Sequence, residues 1–172
     1  DSVLAPVSYR GVPDVRVLVF RGVPVMAMIR LPTRDSDGKA NLHQGAVGVG
    51  IDIASGVTSR GVWRNAVVSE HPDFGVPLEG LQIPEWDKML ELGARCTDLA
   101  GLGYMGVDIV LDQNLGPLIL EMNARPGLAI QIANQDGLQN RLERVAAIES
   151  ISADPLQRVA LAKELFGKRP AV

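Results

Sequence analysis

The chain has 172 residues, 47% of them hydrophobic, with 18 glycines, 11 prolines and a net charge of −3. This is the composition of a soluble globular protein rich in turns, and it excludes a generally basic surface for nucleic acid. The single cysteine, Cys96, excludes an internal disulfide framework; no apolar run is long enough for a membrane span and no secretory signal is visible, so a cytoplasmic location is expected, without membrane or nucleic-acid partners.

Residues 14–21 and 24–31 read as strands joined near Gly22-Val23. Residues 32–44 form a polar loop, and 33–40, with Gly38 and no apolar period, are expected to be its mobile part. Ala46–Ile53 and Val57–Trp63 read as a hairpin about Ser55-Gly56, with Val47, Val49, Ile51 and Ile53 in strict alternation. Residues 65–83, carrying Pro72, Gly75, Pro77 and Gly80, read as irregular. A helix is expected over 84–100, with Met89, Leu92, Ala94, Cys96 and Leu99 on its apolar side and Gly101 at its end. Cys96 reads there as a small buried hydrophobe, and Trp63 and Trp86 as packing residues. Residues 106–111 and 117–123 read as two buried strands of a hairpin, followed by helices over 128–134, 138–148 and 155–166. Asp154 suits the N-cap of the last helix, and the tail 167–172 is expected to fray. Strands followed by helices predict an α+β fold, a largely antiparallel sheet with covering helices, in one domain over 1–172.

The 106–123 hairpin carries the chemistry. With its centre at Asn114/Leu115, Asp108 lies opposite Glu121, and Asn123 follows on the same face. Two facing carboxylates in an apolar sheet repel, and a cation between them relieves the repulsion. Oxygen ligands from Asp, Glu and Asn suit Mg²⁺ or Mn²⁺, with coordination positions left over for water and phosphate. A one-residue slip would instead turn either carboxylate to solvent at a strand end. Arg16 sits mid-strand among Val15, Val17 and Val19, where a guanidinium needs an anion: a structural carboxylate such as Asp14, or a phosphate. Lys39 and Asn41 lie in the polar loop, either solvated or closing over a ligand. Arg125 follows the acidic hairpin in a loop pinned by Pro126-Gly127, placed either for a substrate carboxylate or for a surface ion pair. His43 reads as orienting or structural, and His71 receives no role. No His/Cys spacing suggests zinc.

Three ordered segments are similar to the C-terminal half of the ATP-grasp ligases: Asp14-Val15-Arg16; Lys39-Ala40-Asn41-Leu42-His43-Gln44-Gly45; and Gly106-Val107-Asp108 followed by Gly116-Pro117 and Glu121-Met122-Asn123-Ala124-Arg125-Pro126-Gly127. The resemblance spans roughly residues 12–134. It lies nearest the glutamate-ligase-like branch related to the enzyme that adds glutamates to a ribosomal protein. The chain departs from that branch at Lys39, where relatives tend to carry Arg, and at Ala46, where they carry a second Gly. The resemblance implies the C-terminal subdomain of an ATP-grasp fold, with a core over about 12–150 and a closing helix over about 155–166. It implies Mg²⁺ or Mn²⁺ on Asp108, Glu121 and Asn123 bridging ATP phosphates, Arg16 on the transferred phosphoryl group, and Lys39 and Asn41 in a closing loop. The implied activity is ATP-dependent carboxylate–amine ligation on an amino acid or peptide substrate through an acyl phosphate. An N-terminal substrate domain and an ATP lid are not visible in the sequence, so a missing N-terminal half is expected as the partner and the chain alone is expected to be inactive. The same residues also admit a non-catalytic metal- or nucleotide-binding module, or a structural interaction domain.

Overall fold

The computed structural model describes Leu4 and residues 7–167; the expectation for the tail falls largely on 168–172, outside the described residues. Seven strands build one sheet: β1 (Asp14–Phe20), β2 (Val23–Leu31), β3 (Val47–Ile51), β4 (Thr58–Trp63), β5 (Ala66–Val68), β6 (Tyr104–Asp112) and β7 (Gly116–Asn123). Their order is β5-β4-β3-β2-β1-β6-β7, and every neighbouring pair is antiparallel. The helices are α1 (Trp86–Ala100), α2 (Ala129–Asn134), α3 (Leu138–Ala146) and α4 (Pro155–Phe166). The expected α+β class with an antiparallel sheet is what forms. No helix among the described residues is long and apolar enough to cross a membrane.

Alternation on the central strands divides the sheet into two unlike faces. Val15, Val17, Ile29, Val49, Val107 and Ile109 are buried, and the register aligns them across β3-β2-β1-β6. α1 lies on this apolar face, with Gly93 against Val17 and Val19, and it buries Met89, Leu90, Ala94 and Cys96. α4 packs on α1 and β2, and two ion pairs tie the helices together, Arg158 to Asp98 and Lys163 to Asp87. Asp154 caps α4 by accepting the Leu156 N–H at 3.0 Å, as its position before Pro155 predicts.

The opposite face carries Asp14, Arg16, Arg30 and Asp108, beside a floor of glycines that lets other segments lie close. A Cβ on Gly48 would stand 2.7 Å from Leu42, one on Gly50 2.7 Å from the Ala133 carbonyl, and one on Gly106 2.8 Å from Pro126. The 3-10 turn at Leu42–Gln44, helix α2 and the loop after β7 therefore all rest on this face.

Several local expectations need correction. β7 reads as buried but is an edge strand, with Leu118, Ile119, Leu120 and Met122 exposed. Its apolar composition says that it can pair and pack, not that this chain supplies a cover on both sides. The segment 65–83 contains the short strand β5. The first helix starts at Trp86, preceded by Glu85 in the left-handed region at φ 56°. The segment 33–40 has a polar anchor. Thr33 and Ser36 are buried and exchange side-chain-to-backbone hydrogen bonds at 2.9 and 3.1 Å, while Thr33 Oγ1 donates to the Gly45 carbonyl at 2.8 Å. His71, buried beneath this loop, contacts the Pro32 carbonyl through Nε2 at 3.3 Å and accepts the Asp73 N–H on Nδ1 at 3.2 Å. Asp73 in turn accepts the Arg34 N–H at 2.7 Å.

Candidate active site

The polar face is organised around one buried carboxylate. Asp108 lies opposite Arg16 on β1 and opposite Glu121 on β7, so Arg16, Asp108 and Glu121 form one cross-strand row. Arg16 grips Asp108 with two parallel bonds, Nε to Oδ1 at 2.8 Å and Nη2 to Oδ2 at 2.7 Å. Arg30 grips Asp14 in the same forked manner and also donates through Nη2 to Asp108 Oδ2 at 2.7 Å. The result is a formally neutral array of two carboxylates and two guanidiniums spread over β2, β1 and β6. Forked arginine–carboxylate geometry is the strong form of this interaction, and in a largely dry sheet it fixes both guanidinium planes.

Burial works against the charges of Asp108, Asp14 and Arg30. It would raise the Asp108 carboxyl, but the Arg16 hydrogen bond and the charges of both arginines outweigh it, and Asp108 titrates below its ordinary value. For Asp14, burial outweighs Arg30, and its carboxyl is raised. Burial also opposes the charge on Arg30, but its bond to Asp14 and both carboxylates hold the guanidinium above its ordinary value. Asp108 is thus the fixed anion of the array.

Arg16 and Arg30 each leave one nitrogen, Nη1, without a hydrogen bond among the described residues, and both side chains line a cavity of about 210 Å³. Asn41, His43, Gly127 and Ala129 complete much of its wall. Asn41 is held by its own turn: its Oδ1 accepts the His43 N–H at 3.0 Å, and its carbonyl accepts from Gln44 and Ala46 at 3.0 Å each. Gly127 reaches the wall because the loop after β7 folds back over Gly106.

Of the residues expected at the site, Arg16, Asn41 and Asp108 come together here. Lys39 and Arg125 are exposed and do not line the cavity. Glu121 is exposed beside Asp108 on β7, and Asn123 is half-buried, its Oδ1 accepting the Arg125 N–H at 2.9 Å. Among the described residues no group of three or more His, Cys, Asp and Glu side chains could hold a metal ion. The donors along β6 and β7 are nonetheless all oxygens: Asp108 Oδ1 accepts one bond and Glu121 is open to solvent. That set suits a hard divalent ion whose other ligands come from water or phosphate.

Sequence reasoning missed Arg30. It stands near a strand end, and its partners come from two other strands. The one available signal was the pairing of the first two strands, which sets Arg30 opposite Asp14.

Residues 1–147 match the family described as "Sugar-transfer associated ATP-grasp". A curated protein of Enterobacter sp. (strain 638), named probable alpha-L-glutamate ligase, is 32% identical over 115 residues, covering 67% of this chain and 27% of its own length. A protein of the same name from Maridesulfovibrio salexigens is 30% identical over 115 residues with the same coverages, 67% and 27%. The chain thus spans about a quarter of the length of the curated relatives it matches. With the matched family running through the strand pair of Arg16 and Arg30, the 42–44 turn and the acidic hairpin, the chain belongs to the sugar-transfer associated branch of the ATP-grasp proteins.

Proposed function

We propose that this chain is the phosphoryl-handling part of an ATP-dependent carboxylate–amine ligase that joins an amino acid, glutamate being the first candidate, to a second substrate by an amide bond. The observation that carries the reading is the pair of guanidiniums bonded to Asp108 that line one cavity, neither Nη1 being hydrogen-bonded among the described residues. A purely structural ion-pair array needs no cavity. Two arginines pre-oriented by buried carboxylates, with donors to spare, suit a tetrahedral, multiply charged oxyanion.

In this reaction the substrate carboxylate attacks the γ-phosphorus of ATP, giving an acyl phosphate and ADP. An amine then attacks the acyl carbon and inorganic phosphate leaves. Arg16 and Arg30 hold oxygens of the transferred group in both steps, with their orientation set before the substrate arrives. Asp108 keeps both guanidiniums in plane, and Asn41 contributes its side-chain amide at the cavity wall. Lys39 and Arg125, exposed on flanking loops, provide further positive charge, Lys39 toward phosphate and Arg125 toward a substrate carboxylate. Glu121 and Asn123, with the remaining lone pair of Asp108 Oδ1, would hold Mg²⁺, or Mn²⁺ in its place. When bound, the ion neutralises phosphate charge and aligns the phosphates. The reading asks for no protein nucleophile.

The family match and the names of the curated relatives support this reading. The test is ADP release and amide formation by the full-length protein with Mg-ATP and a panel of amino acids. ADP and amide in equal amounts with at least one amino acid are expected. ATP binding without ADP release across the panel would make the chain part of a non-catalytic nucleotide-binding module.

A further inference from the structure

A second cavity, of about 510 Å³, lies beyond the 42–44 turn and shares Leu42, His43 and Ala129 with the arginine cavity. Its walls combine apolar surface from Val62 and Ile132 with an ion pair, Arg64 to Asp35, at 2.9 Å through Nε and 2.6 Å through Nη2. Each Asp35 oxygen accepts one of these bonds, and Arg64 Nη1 makes none among the described residues.

The backbone beneath Arg64 is unusual. Arg64 and Asn65 both hold the left-handed region, at φ 49° and 65°, in the tight turn that joins β4 to β5. Asn tolerates that conformation, whereas Arg adopts it at a cost. The turn keeps an arginine where glycine or asparagine would be easier. It fixes the side chain twice, by the ion pair and by its guanidinium 5.0 Å from the centre of the Trp63 ring. The Trp63 indole is itself anchored, donating to the Gly45 carbonyl at 2.9 Å.

We infer that this cavity seats the amino-acid substrate as a zwitterion, its carboxylate on Arg64, its ammonium on Asp35 and the methylenes nearest its α-carbon against Val62 and Ile132. The inference rests on the ligase reading only for calling the ligand a substrate. Selectivity follows from the two adjacent opposite charges. A simple anion at Arg64 is repelled by Asp35, and a simple cation at Asp35 is repelled by Arg64. A molecule carrying both charges a few bonds apart satisfies both partners without breaking their own pair. The volume is within the usual range for small-ligand cavities and admits an amino acid or a short peptide. The shared wall at Leu42 and His43 leaves one short turn between this seat and the arginines.

The test is amide NMR on the chain titrated separately with L-alanine, acetate, ethylammonium and inorganic phosphate. L-Alanine should move the amide signals of Gly45, Arg64, Asn65 and Ile132, while acetate and ethylammonium bind there at least about tenfold more weakly. Arg64→Gln and, independently, Asp35→Asn should each weaken L-alanine by about tenfold while leaving spectral dispersion intact. No shift with L-alanine, or wild-type affinity for L-alanine in either variant, overturns the inference. Phosphate should move the Arg16 and Arg30 signals whatever L-alanine does. A phosphate failure would count against the phosphoryl seat and leave the zwitterion seat standing.

Discussion

Arg30 on β2 bonds Asp108 on β6 across the whole width of the intervening strand β1, Nη2 to Oδ2 at 2.7 Å. This reach makes Asp108 the common anchor of two arginines from different strands. Removing one partner of a buried pair costs far more than the pair contributes, because the other charge is left stranded. Asp108→Asn should therefore destabilise the chain by about 3–5 kcal/mol, read as a lower urea midpoint. The double variant Arg16→Leu/Asp108→Leu should recover a large part of that loss. A midpoint for Asp108→Asn equal to that of the wild type would contradict the anchoring role.

Gly106 holds open the space into which Pro126 folds. Gly106→Ala places a methyl group 2.8 Å from the Pro126 ring, pushing the 123–127 loop off the sheet. A loss of about 1–3 kcal/mol is expected, with weaker phosphate binding, because Gly127 lines the arginine cavity. Gly103→Ala, with nothing within 4 Å, is the control and should stay within about 0.5 kcal/mol of the wild type. Equal effects of the two substitutions in chemical denaturation would refute the packing argument.

His71 gives the chain a pH dependence of known sign. Burial pushes its imidazole below the ordinary histidine value, and the Pro32 carbonyl and Asp73 offset this only in part. The unfolded chain then binds the proton more readily. The stability linked to neutral His71 is complete above about pH 6.5 and declines as the pH falls toward the lowered folded value. Between pH 7.5 and pH 5 the wild type should lose more stability than His71→Gln. Parallel losses in paired urea titrations would show that His71 is not the group responsible.

β7 presents an unpaired edge with Leu120 64% exposed. Such an edge favours strand-to-strand association. Sedimentation of the chain should show a concentration-dependent mass, and Leu120→Lys should shift the population toward monomer. A wild-type chain that stays monomeric at every concentration would contradict this.

The Asp108–Glu121 pairing was legible in the sequence, but through two offsets that cancel. The sequence centres the turn between Asn114 and Leu115. The structure centres it on Asn114, with Asp112 opposite Gly116 and Ile109 opposite Ile119. A bulge between Asp108 and Ile109, with Leu120 as the extra residue on β7, then restores the expected partner. Residue patterns report alternation, and a bulge in an all-apolar run such as Leu118-Ile119-Leu120 leaves no mark on it. The β1–β2 pair was legible too, but its turn read one residue late, near Gly22-Val23; the structure turns on Arg21-Gly22, both in the left-handed region. The tertiary meaning of Arg30, and the Thr33–Ser36 exchange that anchors the polar loop, depend on partners that composition and period do not specify.

The central claim is that Arg16 and Arg30, held by Asp108, grip the phosphoryl group in transfer. The most direct measurement is kcat for ADP release by the full-length protein carrying Arg16→Lys, with its melting temperature measured alongside. Lysine keeps the charge and loses the planar fork, so kcat should fall by about tenfold or more while the protein stays folded. An unchanged kcat in a folded Arg16→Lys protein would contradict the account.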